Sequence, residues 1–75
     1  MNKLSEIVSK GESCMENGQY EEALACFEQA ILLSPKDPDL WNSKASALRS
    51  MGRYEEAIEC FNRSLEIDPR DKYSS

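Results

Sequence analysis

The sequence predicts an all-α fold: two tandem helix-turn-helix hairpins stacked one on the other. Three observations carry this. The 75-residue chain repeats itself at an offset of 34 residues. Apolar residues recur at three- and four-residue spacing in each long segment. Apart from Gly11, every glycine and proline falls at a segment boundary. In the repeat, Ser9-Lys10, Gly18, Tyr20-Glu21-Glu22-Ala23, Cys26-Phe27, Pro35 and Asp37 return as Ser43-Lys44, Gly52, Tyr54-Glu55-Glu56-Ala57, Cys60-Phe61, Pro69 and Asp71. Eleven of 34 aligned positions are thus identical, and glycine, proline, tyrosine and phenylalanine all return in phase. A fixed period of this length marks stacked supersecondary units. Residues 1–75 therefore form one domain, with repeat one over 4–37, repeat two over 38–71 and a short tail at 72–75.

Each repeat reads as two helices. The first covers about 3–16 from an Asn2 cap. The second covers about 20–33, with Ala23, Leu24, Phe27, Ala30 and Ile31 inward. The third covers 38–51. Asp37 is its N-cap, Pro38 takes the first helical position, where a missing N–H costs nothing, and Asp39 meets the positive end of the dipole. Leu40, Trp41, Lys44, Ala45 and Leu48 share one face of it. Gly52 ends it, because glycine tolerates the left-handed conformation of a helix C-terminus. The fourth opens at Tyr54 with Glu55 and Glu56 in its first turn. Its inner stripe is Ala57, Ile58, Phe61, Ser64 and Leu65, and Asp68-Pro69 stops it.

Small residues recur for a packing reason. Gly11 and Ala45 share one repeat position, Ala23 and Ala57 another, Ala30 and Ser64 a third. Large side chains there would hold the paired helices apart. Tyr20, Phe27, Trp41, Tyr54 and Phe61 are expected to fill the space that remains.

Composition narrows the function. A chain this short buries only about 60% of its surface, so the core is thin. Nine Lys and Arg against fourteen Asp and Glu give a net charge of −5. That argues against nucleic acid, which needs a basic face, and against an anionic membrane surface. No apolar run approaches the roughly 20 residues of a membrane span. The N-terminal Met1-Asn2-Lys3-Leu4-Ser5-Glu6 has no apolar stretch of signal-peptide length. With no histidine, Ser-His-Asp, Cys-His and His-metal chemistry are absent. Cys14, Cys26 and Cys60 are an odd number at wide spacing, which fits neither a disulfide framework nor a zinc site. A reducing cytoplasm is the simplest setting.

The remaining chemical motifs have plainer readings. Cys26 and Cys60, equivalent in the repeat, could form a metal or redox pair, but a buried free cysteine more often fills space. Glu21, Glu22, Glu55 and Glu56 suit the helix dipole better than acid–base work. Tyr20, Phe27, Tyr54 and Phe61 are core by periodicity rather than a base-stacking platform. No nucleophile–base pair, phosphate loop or metal cluster is visible, so neither an enzyme nor a cofactor is expected.

The pattern resembles the tetratricopeptide repeat, with its 34 residues and W-x2-L-G-x2-Y…A-x3-F…P signature. The second copy gives Trp41, Lys44, Ala45, Leu48, Gly52, Tyr54, Ala57, Phe61 and Pro69. The first gives Ile7, Lys10, Gly11, Cys14, Gly18, Tyr20, Ala23, Phe27, Ala30 and Pro35. It departs at Lys10 and Lys44, which stand for Leu, at Ile7 for Trp and at Cys14 for Tyr. The lysines are expected to lay their stems on the core edge. The Trp41-Asn42-Ser43-Lys44 run is similar to archaeal and bacterial members.

The resemblance implies that the hairpins stack as a short right-handed superhelix, an α-solenoid, and that the chain is a non-enzymatic protein-interaction module. Members of the family bind peptides or protein segments in a concave groove lined by the first helix of each pair. Carried over, the groove is Ser5, Val8, Ser9, Glu12, Met15 and Glu16, then Asp39, Asn42, Ser43, Ser46, Arg49 and Ser50. Some relatives clamp the C-terminal carboxylate of heat-shock chaperones with Lys, Asn and Arg. Val8 and Glu12 stand where that clamp needs Lys and Asn, so the clamp is absent. The other reading is a self-associating unit, or a fragment of a longer array. The short segment after Pro69 is expected to leave Ile58, Phe61, Leu65 and Ile67 as an exposed apolar strip, through which a homodimer could form.

Overall fold

The computed structural model describes residues 3–68. Asn2, Pro69, Asp71 and the tail at 72–75 lie outside them. Four helices follow in order: α1 (Lys3–Glu16), α2 (Tyr20–Leu33), α3 (Pro38–Ser50) and α4 (Tyr54–Ile67). The described residues contain no strand. Three helices run as the periodicity predicts. The third stops one residue early, with Met51 as its cap.

The caps have clear causes. Asp37 is extended, and its carboxylate accepts the Asp39 N–H at 3.0 Å. This satisfies one of the donors a helix start leaves free. Gly18 and Gly52 have φ of +80° and +83°. That left-handed turn lets Gln19 N–H reach the Cys14 carbonyl at 2.8 Å, and Arg53 N–H the Leu48 carbonyl at 2.9 Å. Both hairpin turns are thus the same six-to-one motif.

The helices pack in sequence, α1 on α2, α2 on α3 and α3 on α4. Phe27, 1% exposed, joins Cys14, Ala23 and Ala47 between α1, α2 and α3. Leu40 packs with Ala30 and Ile31. Ala45, Leu48, Ala57 and Cys60 close the second hairpin, with Trp41 and Phe61 at its edge. The Trp41 indole N–H donates to the Pro35 carbonyl at 2.9 Å, tying α3 to the inter-repeat loop. Lys44, half-buried beside the Trp41 ring, pairs with Glu28 at 3.5 Å. Lys10, its equivalent, is exposed, because among the described residues no helix packs on α1 from the other side to offer it a core edge.

Two core expectations need correction. Tyr54 is 62% exposed. Its equivalent Tyr20 is half-buried, with Met51 of the next hairpin lining the same hollow. No described helix follows α4 to do this for Tyr54. The α4 stripe also divides: Ala57, packed with Ala45 and Leu48 of α3, and Ser64 are buried, whereas Ile58 and Leu65 are 57% and 39% exposed. Conversely, Ala47 is buried although it lies off the predicted face of α3. That helix covers α2 as well as α4, so it needs two inner faces.

Candidate functional site

Two surfaces deserve comparison, the one on α1 and α3 and the one on α4. On the first, Ser5, Ser9, Glu12 and Glu16 of α1 are exposed, as are Asp39, Arg49 and Ser50 of α3. Asn42, Ser43 and Ser46 are half-buried, and among the described residues their side chains form no hydrogen bond. Val8 and Met15 are half-buried too. Val8 packs toward Ala30, Ile31 and Leu40, and Met15 toward Phe27 and Ala47. They edge the core where α1 meets the second repeat. The repeat equivalents of this pair on α3 are the polar Asn42 and Arg49. Glu12, Glu16 and Asp39 against Arg49 leave the surface acidic.

The second surface is the face of α4 turned away from α3. Ile58 and Leu65 are exposed there, Phe61 is half-buried at its edge, packed against the Ala45, Leu48, Ala57 and Cys60 core, and Ile67 is half-buried. Sequence reasoning missed Tyr54, which joins Ile58, Phe61 and Leu65 at helical spacing. The signal was available, because Tyr20, Leu24, Phe27 and Ile31 are its equivalents and meet the following hairpin.

The remaining features are structural. A cleft of about 590 Å³ between α1 and α2 is lined by Lys3, Glu6, Ile7, Lys10, Glu22, Ala25, Cys26 and Gln29. It contains none of the α1–α3 surface residues. A similar cleft of about 420 Å³ lies between α3 and α4, beside Trp41 and Cys60. All three cysteines are buried and free. Burial pushes the Cys60 thiol up, against the opposing pull of Lys44. Burial, then Cys26 and Glu22, push the Cys14 thiol up, and it points its S–H at Glu22 over 3.9 Å. Both are therefore weak nucleophiles. Among the described residues no group of three or more His, Cys, Asp or Glu is placed to hold a metal ion. No described helix is long and apolar enough to cross a membrane. Glu56 forms two hydrogen bonds with the Arg53 guanidinium, at 2.6 and 2.9 Å. That pair, which raises the Arg53 pKa, accounts for one first-turn glutamate without acid–base chemistry.

Residues 11–74 match the family model described as tetratricopeptide repeat. No curated protein matches the chain.

Proposed function

Because the chain belongs to the tetratricopeptide repeat family, we propose that it is a non-enzymatic protein-interaction module that holds a peptide or protein segment against α1 and α3. The observation that carries this is the row Asn42, Ser43 and Ser46, half-buried yet without side-chain partners among the described residues. A half-buried polar group is already partly stripped of water, so a guest's backbone can satisfy it at small further cost. Val8 and Met15 offer apolar contact one helix away. The acidic balance of Glu12, Glu16, Asp39 and Arg49 selects against acidic guests. The ligand is thus a basic or mixed polar and apolar segment of a protein, in a cytoplasmic setting, with no part for nucleic acid, membrane or cofactor.

A random peptide library selected on the purified protein tests this. Selected peptides should be poor in Asp and Glu. They should bind wild type and Ile58→Glu alike, and lose most of their affinity for Ser46→Arg and Asn42→Ala. Peptides insensitive to both changes on α3 would show that the concave face is not the site.

A further inference from the structure

We propose that α4 releases from α3 as a separate unit, swinging on the turn at Gly52, while α1, α2 and α3 stay folded together as one core. The 34-residue repeat divides the chain into two equal hairpins, but the ties of α3 run to the first of them. Leu40 packs with Ala30 and Ile31, and Ala47 packs beside Phe27. The Trp41 indole N–H donates to the Pro35 carbonyl at 2.9 Å, and Lys44 pairs with Glu28 at 3.5 Å. The Asp37 cap, which starts α3, needs nothing from α4. All of these contacts survive when α4 leaves.

The hold on α4 is of another kind. Its buried residues are the small Ala57, Cys60 and Ser64, and its Phe61 is only half-buried. By contrast α2 buries Phe27 and Ile31 besides Ala23, Cys26 and Ala30. Among the described residues no side-chain hydrogen bond or ion pair joins α4 to α3. Arg53 bonds Glu56, and Arg63 pairs with Glu66, both within 53–66. Local opening is governed by the apolar surface bared and the bonds broken, and small side chains bare little. The largest buried side chain in the α3–α4 layer is Leu48, and Leu24 of α2 packs against that same layer. Gly52, at φ +83°, supplies the hinge, because glycine has few forbidden backbone angles. Release brings Cys60, 5% exposed when α4 is docked, out to solvent. Cys60 is therefore a gated thiol, covered or offered according to the position of α4.

Native-state hydrogen exchange on the full chain, read segment by segment by mass spectrometry, tests this. Amides of 58–66 should exchange more than about tenfold faster than those of 24–31. Low urea should speed 24–31 steeply and 58–66 only weakly, because release bares far less surface than global unfolding. A core variant gives the sharper comparison. Phe27 packs with Cys14, Ala23 and Ala47, a cluster that holds no residue of α4. Phe27→Leu should speed exchange of 24–31 by about tenfold. It should leave 58–66, and the alkylation rate of Cys60, unchanged. If α4 opens only with the whole molecule, Phe27→Leu speeds both segments and Cys60 by one common factor, and that result overturns the proposal. So does equal protection, or an equal urea response, of 24–31 and 58–66 in the wild type, neither of which needs the variant.

Discussion

Gly11 lies against the ring of Phe27 so closely that a Cβ at position 11 would stand 2.7 Å from Cε1 and 2.9 Å from Cζ. Glycine inside a helix normally costs about 1 kcal/mol relative to alanine. Here that cost removes a clash, and Phe27 cannot retreat because it is almost completely buried. Overpacking a core typically costs about 1–3 kcal/mol. The two effects oppose, and the clash should win. Gly11→Ala is expected to lower stability by about 1 kcal/mol in chemical denaturation. Gly11→Ala combined with Phe27→Leu should recover part of the loss relative to Phe27→Leu alone. Repeat two tolerates Ala45 at this position because Phe61 is only half-buried.

The comparison of Phe27 with Phe61 also explains what the sequence could convey. Helix limits and caps were legible because they depend on neighbouring residues, such as Asp37 two positions from the N–H it accepts or Gly52 at its own φ. The small positions Gly11 and Ala23 were legible from repetition. Tyr54 and Ala47 were not, because their burial depends on which helix lies alongside. A period of 34 tells where a residue points in the hairpin. Whether a further hairpin covers it is not contained in the period, and Tyr54, with no described helix alongside, is 62% exposed. Val8 and Met15 show the same limit: one helical position can border both a groove and a seam.

The cysteines are packing residues. Cys26→Ala and Cys60→Ala should each cost about 0.5–2 kcal/mol through the small cavities they leave. Native Cys14 and Cys60 should react slowly with iodoacetamide near pH 8, since burial favours the protonated thiol. Their raised pKa gives a stabilising contribution that is fully present below the unfolded value, about 8.5, and is lost as pH rises through the folded value. Denaturation midpoints should therefore fall from about pH 8.5 upward, and less so in the Cys14→Ala, Cys60→Ala double variant. Stoichiometric zinc uptake or a native internal disulfide would contradict the assignment.

The second repeat depends on one local contact for its start. Asp37 satisfies the Asp39 N–H, and Pro38 removes the need to satisfy another. Asp37→Ala should destabilise the protein by about 1 kcal/mol, read as a lower thermal midpoint. Asp37→Asn should lose only a small part of this, because asparagine caps nearly as well but lacks the charge favoured at the positive helix end. Equal losses in both variants would mean that the charge, not the hydrogen bond, carries the effect.

The concave face should reject acidic C-terminal peptides. A carboxylate clamp needs converging cations, and here Val8 and Glu12 occupy positions that would have to supply a lysine and an asparagine. Arg49 is exposed on α3, with Glu12, Glu16 and Asp39 exposed on the same surface. An incoming peptide ending in Glu-Glu-Val-Asp therefore meets a net repulsive field. Titration with such a peptide should give no saturable heat or shift. Val8→Lys with Glu12→Asn places the missing groups, and Glu16→Lys reverses a further charge. The triple variant should gain measurable affinity that falls as salt rises. Val8 also packs toward Leu40, so its thermal midpoint should drop, and the gain is to be measured well below that midpoint. Micromolar binding of the same acidic peptide by the wild type, weakening with salt, would show that Arg49 alone suffices and that the acidic balance of the face does not govern its choice of ligand.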